Sequence, residues 1–97
     1  MNIYLVQRPI EWETPEKNFE AIEALFQESP PERDSLIVLA EMFATGFSFA
    51  LDKVGEAEDG PSSQFLRHLA MKHGVCTVGS FPHQPAGGGK GLNRLMA

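Results

Sequence analysis

Three short apolar runs, Ile3 to Val6, Leu36 to Leu39 and Val75 to Val78, are separated by two segments whose apolar residues recur at helical spacing. Runs of this kind restrict the fold more than any other feature of the chain. A strand with one face in water alternates polar and apolar residues. Leu36-Ile37-Val38-Leu39 is instead apolar on both faces, as expected of a strand covered on both sides. The order strand, helix, strand, helix, strand predicts an α/β layer with parallel pairing and right-handed crossovers.

Local signals set the boundaries. Thr14 offers a side-chain oxygen as an N-cap, Pro15 stands at the first helical position, and Glu16 lies in the first turn. Phe19, Ile22, Leu25 and Phe26 follow at helical spacing, and Pro30-Pro31 stops the helix. A second helix is predicted from near Pro61–Ser63 to His73, with Phe65, Leu66, Leu69 and Ala70 on one face and Gly74 just past its end. Between them, Glu41 to Gly60 is a long connection, of a length that is usually functional or disordered in a compact domain. The Gly/Pro-rich stretch from Gly79 to Gly91 reads as a loop, and Leu92 to Ala97 as the start of a fourth strand.

With 97 residues the chain has room for one small domain, and its net charge of −5 disfavours nucleic acid or an anionic membrane as a partner. Its 1 cysteine, Cys76, excludes an internal disulfide and fits a reducing compartment. Met1 to Gln7 has no basic leader-like region, and no stretch approaches bilayer-spanning length, so a cytoplasmic location is expected.

Glu41 stands immediately beyond the Leu36–Leu39 run. Burying an unpaired carboxylate is costly, so Glu41 either points to water or is held at the strand end for a purpose. In open α/β sheets ligands gather at such strand ends. A solvated loop glutamate is the plain alternative.

The stretches LVQRPIEWETPEKNFEAIEALF (5–26), DSLIVLAEMFATGFSF (34–49), GVCTVGSF (74–81) and LNRLMA (92–97) bear on that choice. In order, they resemble the first part of the nitrilase superfamily of carbon–nitrogen hydrolases, most nearly its omega-amidase-like branch. EMFATGFS is the most specific block, supported by Trp12, Asn18, Gly79-Ser80 and Asn93-Arg94. The resemblance implies an αββα sandwich, of which residues 1–97 would be the N-terminal part, with three to four strands and two helices. It implies hydrolysis of amide or nitrile C–N bonds by a Glu-Lys-Cys triad with Glu41 as general base. Phe43 and Phe47, close to Glu41 in sequence, are expected to wall the carboxylate and contact the substrate. No cofactor and no metal are implied. The partners expected are a small-molecule amide substrate, specifically an omega-amide of a dicarboxylic acid, and further copies of the chain in a homo-oligomer.

The triad's lysine and cysteine are expected beyond residue 97. Lys90 precedes the asparagine-containing strand rather than following it. Lys53 and Lys72 match no triad position, and Cys76 reads as a small buried thiol within a strand. Ala40 stands where relatives usually carry proline. The chain is therefore expected to be a truncated product, a fragment or a misread frame of an amidase. The alternative is a non-catalytic remnant or binding module that keeps the first units of the fold.

The remaining features read as structural. Gly87 to Gly91 (GGGKG) lacks the spacing of a phosphate-binding loop and reads as a flexible turn. His68, His73 and His83 lack metal-ligand spacing and read as surface or helix-end residues. The acids between Gly55 and Gly60 read as a solvated loop.

Overall fold

The computed structural model describes residues 2–48, 50, 54–84 and 92–96. Strands β1 (Ile3–Val6), β2 (Leu36–Leu39), β3 (Cys76–His83) and β4 (Leu92–Met96) form one sheet in the order β1-β2-β3-β4. Helix α1 (Pro15–Glu28) joins β1 to β2, and α2 (Pro61–His73) precedes β3. β1 pairs parallel with β2 from Ile3↔Leu36 to Val6↔Leu39, and β2 parallel with β3 from Leu36↔Cys76 to Val38↔Val78. The two strand–helix–strand units and their parallel pairing are as the apolar runs predict. Among the described residues, no helix is long and apolar enough to cross a membrane.

Both helices cover the same face of the sheet, as crossovers of one hand require when strands are added in sequence order. Ile22 and Phe26 of α1 and Phe65, Leu66 and Leu69 of α2 bury against Val6, Ile37 and Leu39. Phe19 stacks on Phe65 at 4.4 Å between ring centroids, and Phe43 lies 6.2 Å and 6.1 Å from those two rings. The other face carries the alternate side chains of the same strands. There Ile3, Leu5 and Leu95 are 62%, 71% and 70% exposed. The expectation that Leu36–Leu39 is covered on both sides is met on the helical side alone among the described residues.

Helix boundaries follow the local signals, with one change of mechanism. Thr14 precedes α1 and Pro15 opens it, but the Thr14 hydroxyl donates to the Trp12 carbonyl at 2.9 Å instead of capping a helical N–H. Gly74 ends α2 in the left-handed conformation, with a φ of 65°, where a residue without a Cβ fits without strain.

β3 overruns its predicted end by several residues, through part of the stretch read as a Gly/Pro loop. Two neighbours sustain it. On one side β4 pairs antiparallel from Gly79↔Met96 to His83↔Leu92. On the other, beyond the end of β2, Glu56 supplies the missing partner. Its N–H donates to the Pro82 carbonyl at 2.9 Å, and its carbonyl accepts from the Gln84 N–H at 2.8 Å. Because the Pro82 carbonyl points towards Glu56, the missing proline N–H also faces that side, and the ladder with β4 loses no bond. Gly79 is the point of closest approach: a Cβ there would stand 2.8 Å from Cε1 of Phe43 and 3.2 Å from Cδ2 of Leu66.

The same region corrects three readings of single residues. Glu56 is not part of a solvated loop but is buried. Its carboxylate accepts from the Ser62 N–H at 2.7 Å and the Ser62 hydroxyl at 2.6 Å, capping the first turn of α2. His83 is buried in β3 rather than on the surface, with Nδ1 3.0 Å from the Glu56 carbonyl. Cys76 is exposed rather than buried. Side chains alternate along β3, and Thr77, whose hydroxyl donates to the Leu66 carbonyl at 3.0 Å, takes the helical side.

His73, at the end of α2, carries a pH dependence. Its ring meets Phe26 edge-on at 5.0 Å, and its Nε2 is shut off from solvent with no hydrogen-bond partner. Burial lowers its pKa from the ordinary 6.5, Lys72 and His68 act the same way, and Glu23 opposes them. The folded state therefore favours the neutral ring. Stability is full above 6.5, where both states are unprotonated, and declines as pH falls through the lowered folded value while the unfolded chain takes up protons. The melting temperature is expected to drop more between about pH 7.5 and 5.5 in the wild type than in His73→Leu. Equal drops by thermal unfolding would discount this coupling.

Candidate functional site

The chain leaves β2 at Leu39, passes Ala40, and turns through residues 41–45. Met42 has a positive φ of 52°, a left-handed conformation that costs a residue with a Cβ about 1–2 kcal/mol. Strain of this kind persists only where its surroundings enforce it. Here the Met42 N–H donates to the Ser80 hydroxyl at 3.0 Å, and its carbonyl accepts from the N–H groups of Thr45 at 3.2 Å and Gly46 at 2.9 Å. The reversal buries the Met42 and Phe43 side chains and leaves Glu41 exposed at the end of the strand.

A second anchor holds the far side of the turn. Asn18 of α1 is fully buried, and its Nδ2 donates to the Ala44 carbonyl at 2.6 Å and the Glu11 carbonyl at 2.9 Å. Its Oδ1 accepts from the Glu11 N–H at 2.8 Å and from Arg8 Nη1 at 3.2 Å. Every hydrogen-bonding site of the amide is used, so the loop that carries Glu41 is fixed to α1 as well as to β3.

The Glu41 carboxylate stands at a hollow of about 330 Å³ over the non-helical face of the sheet, with Val38, Val78 and Leu95 as apolar walls and Ser80 and Asn93 as polar ones. Asn93 Nδ2 donates to Glu41 Oε1 at 2.6 Å. The glutamate is thus neither buried nor free in solvent: it is exposed, and one of its oxygens is held.

Phe43 and Phe47 do not form the wall expected of them. Phe43 is 2% exposed among the core aromatics, because the turn at Met42 rotates it onto the helical side, and Phe47 is 58% exposed outside the hollow. Cys76 is not near Glu41. The β2–β3 register sets it beside Leu36, at the opposite end of β2 from Glu41. At the usual strand rise that separation is about 16 Å along the sheet. Lys72 lies at the C-terminal end of α2, its Nζ 3.3 Å from Glu23 Oε2. Lys53, Lys90 and the Gly87–Gly91 turn lie outside the described residues. Among the described residues, no group of three His, Cys, Asp or Glu side chains is arranged to hold a metal ion.

Reasoning from spacing assigns no role to Ser80 or Asn93, which reach the Glu41 turn across 38 and 52 residues. The signal available is weak: each is a polar residue at a position of β3 or β4 whose same-face neighbours, Val78 and Leu95, are apolar.

The sequence profile of the family described as carbon-nitrogen hydrolase matches residues 3–97. A curated protein of Pseudomonas protegens, "Hydrolase in pqqF 5'region", is 38% identical over 56 residues, which cover 55% of this chain and 20% of that protein. The crystal structure of XC1258 from Xanthomonas campestris, a CN-hydrolase superfamily protein with an arsenic adduct in its active site, superposes with a TM-score of 0.82. Identity is 35%, over 96% of this chain and 34% of that one. The chain spans about a third or less of the length of these relatives.

Proposed function

Because the chain belongs to the carbon–nitrogen hydrolase family, we propose that it supplies the general base, Glu41, of an amidase that acts on small omega-amides of dicarboxylic acids. The observation that carries this reading is the position of Glu41: a carboxylate at the end of β2, on a strained and doubly anchored turn, facing a hollow. A glutamate that serves only as a solvated loop residue needs no such anchoring.

In this reading the nucleophilic cysteine and the lysine of the triad come, by the family's order, after the strand that holds Asn93. Glu41 takes the thiol proton as sulfur attacks the amide carbon, because the thiolate is the competent nucleophile. The C–N bond then breaks, and the proton passes from Glu41 to the departing ammonia. Water next attacks the thioester, Glu41 accepts its proton, and the proton returns to sulfur as the carboxylic acid is released. The lysine offsets the oxyanion charge in both tetrahedral intermediates.

The complete polypeptide encoded with this chain is expected to release ammonia from omega-amides of dicarboxylic acids faster than from monocarboxylic amides of the same length. An ammonia-release assay across such a series tests it. No turnover of any amide or nitrile would refute the proposal and leave the non-catalytic module as the better reading.

A further inference from the structure

We propose that Asn93 is the positioning residue for Glu41, fixing which carboxylate oxygen is left to accept the proton. The inference rests on the reading of Glu41 as a general base and adds a residue to which that reading gives no role. Asn93 Nδ2 lies 2.6 Å from Glu41 Oε1, a short, charge-assisted contact. The amide's orientation follows from chemistry: the reverse would set its oxygen against a carboxylate oxygen. With Oε1 occupied, Oε2 is the acceptor left without a partner among the described residues.

The donor's chemistry suits the task. A lysine or arginine at this place would pair fully with the carboxylate and weaken it as a base, whereas a neutral amide orients it and adds no net charge. The donor also comes from a separate element. Asn93 comes from β4, opposite Pro82 in the antiparallel ladder, and not from the turn that carries Glu41. Backbone and carboxylate are thus held from two strands, by Ser80 on β3 at the Met42 N–H and by Asn93 on β4 at Oε1.

Two substitutions in the complete polypeptide test this. Asn93→Leu removes the donor and keeps the branching of the side chain. Asn93→Asp keeps the shape and sets a second carboxylate against Glu41. In Asn93→Leu, kcat for an omega-amide is expected to fall about tenfold with KM within about twofold, as for a group that acts through the base. In Asn93→Asp the loss is expected to be larger near neutral pH and to recover as pH falls and the introduced carboxyl takes up a proton, which a purely structural defect would not do. A second readout does not depend on turnover. The proton signal of the Asn93 side-chain amide, expected downfield while it donates to the Glu41 carboxylate, should return to the free-amide position in Glu41→Ala. A wild-type Asn93 amide signal at the free-amide position, or an unchanged kcat in Asn93→Leu, overturns the inference. The amide signal reports on the contact even if the protein hydrolyses no amide, so failure of the positioning role and failure of the proposed activity are told apart.

Discussion

If Glu41 is the general base proposed, Glu41→Gln in the complete polypeptide is expected to lower kcat for amide hydrolysis by about 10²–10⁴ and to leave KM and the melting temperature near their wild-type values. The substitution keeps the length and planarity of the side chain, and the introduced amide oxygen can still accept from Asn93. The left-handed turn at Met42 and its anchor on Ser80 involve only the backbone beyond Glu41, so they persist. Glu41 is exposed. Exposed substitutions outside special contacts usually change stability by no more than about 0.5 kcal/mol. Under the proposed role the chemistry alone is lost, because the carboxylate that takes the thiol proton is gone. Steady-state kinetics with circular dichroism on the same samples decides the matter. An unchanged kcat with an intact fold would make Glu41 a loop carboxylate.

The second large effect concerns residues 1–97 produced as a polypeptide of that length. It is expected to self-associate and to show no amidase turnover above buffer. Ile3, Leu5 and Leu95 stand exposed on the sheet face opposite the helices, beside the half-buried Leu36, Val38 and Val78. Covering one such side chain is worth about 1.5–3 kcal/mol, so the face as a whole favours association by several times the thermal energy. β1 ends the sheet and has no second strand partner among the described residues, so its edge is a template for further pairing. Turnover should be absent because Cys76 and Glu41 lie at opposite ends of the sheet, so the thiol this segment does contain is out of the base's reach. Size-exclusion chromatography and ammonia release are the measurements. A monodisperse monomer with one cooperative unfolding transition would show that this face needs no cover, and turnover that survives Cys76→Ala would overturn the argument about the thiol.

The boundaries of β1 and β2, both helices and the parallel order of the first three strands were legible from local rules. Apolar runs of strand formers, Pro15 and Pro61 at the first helical position, Pro30-Pro31 after α1 and Gly74 after α2 act within a few residues of themselves. Their effect does not depend on what packs against them. Glu41 was legible as a strand-end carboxylate for the same reason. What surrounds Glu41 was not. Phe43 and Phe47 stand close to it in sequence, yet the left-handed turn at Met42 sends Phe43 into the core and leaves Phe47 outside the hollow. Such a conformation is unfavourable locally and is adopted because Ser80, from another strand, receives the Met42 N–H. The extension of β3 through Pro82 likewise depends on a partner, Glu56, brought beside it from the preceding loop, and the same placement buries a carboxylate that composition assigns to solvent. Asn93 reaches Glu41 because β4 returns antiparallel beside β3 in one particular register. Spacing along the chain carries the periodicities of helix and strand. Which side chains meet across strands is decided by register and by the face the helices cover, and those are properties of the assembled sheet.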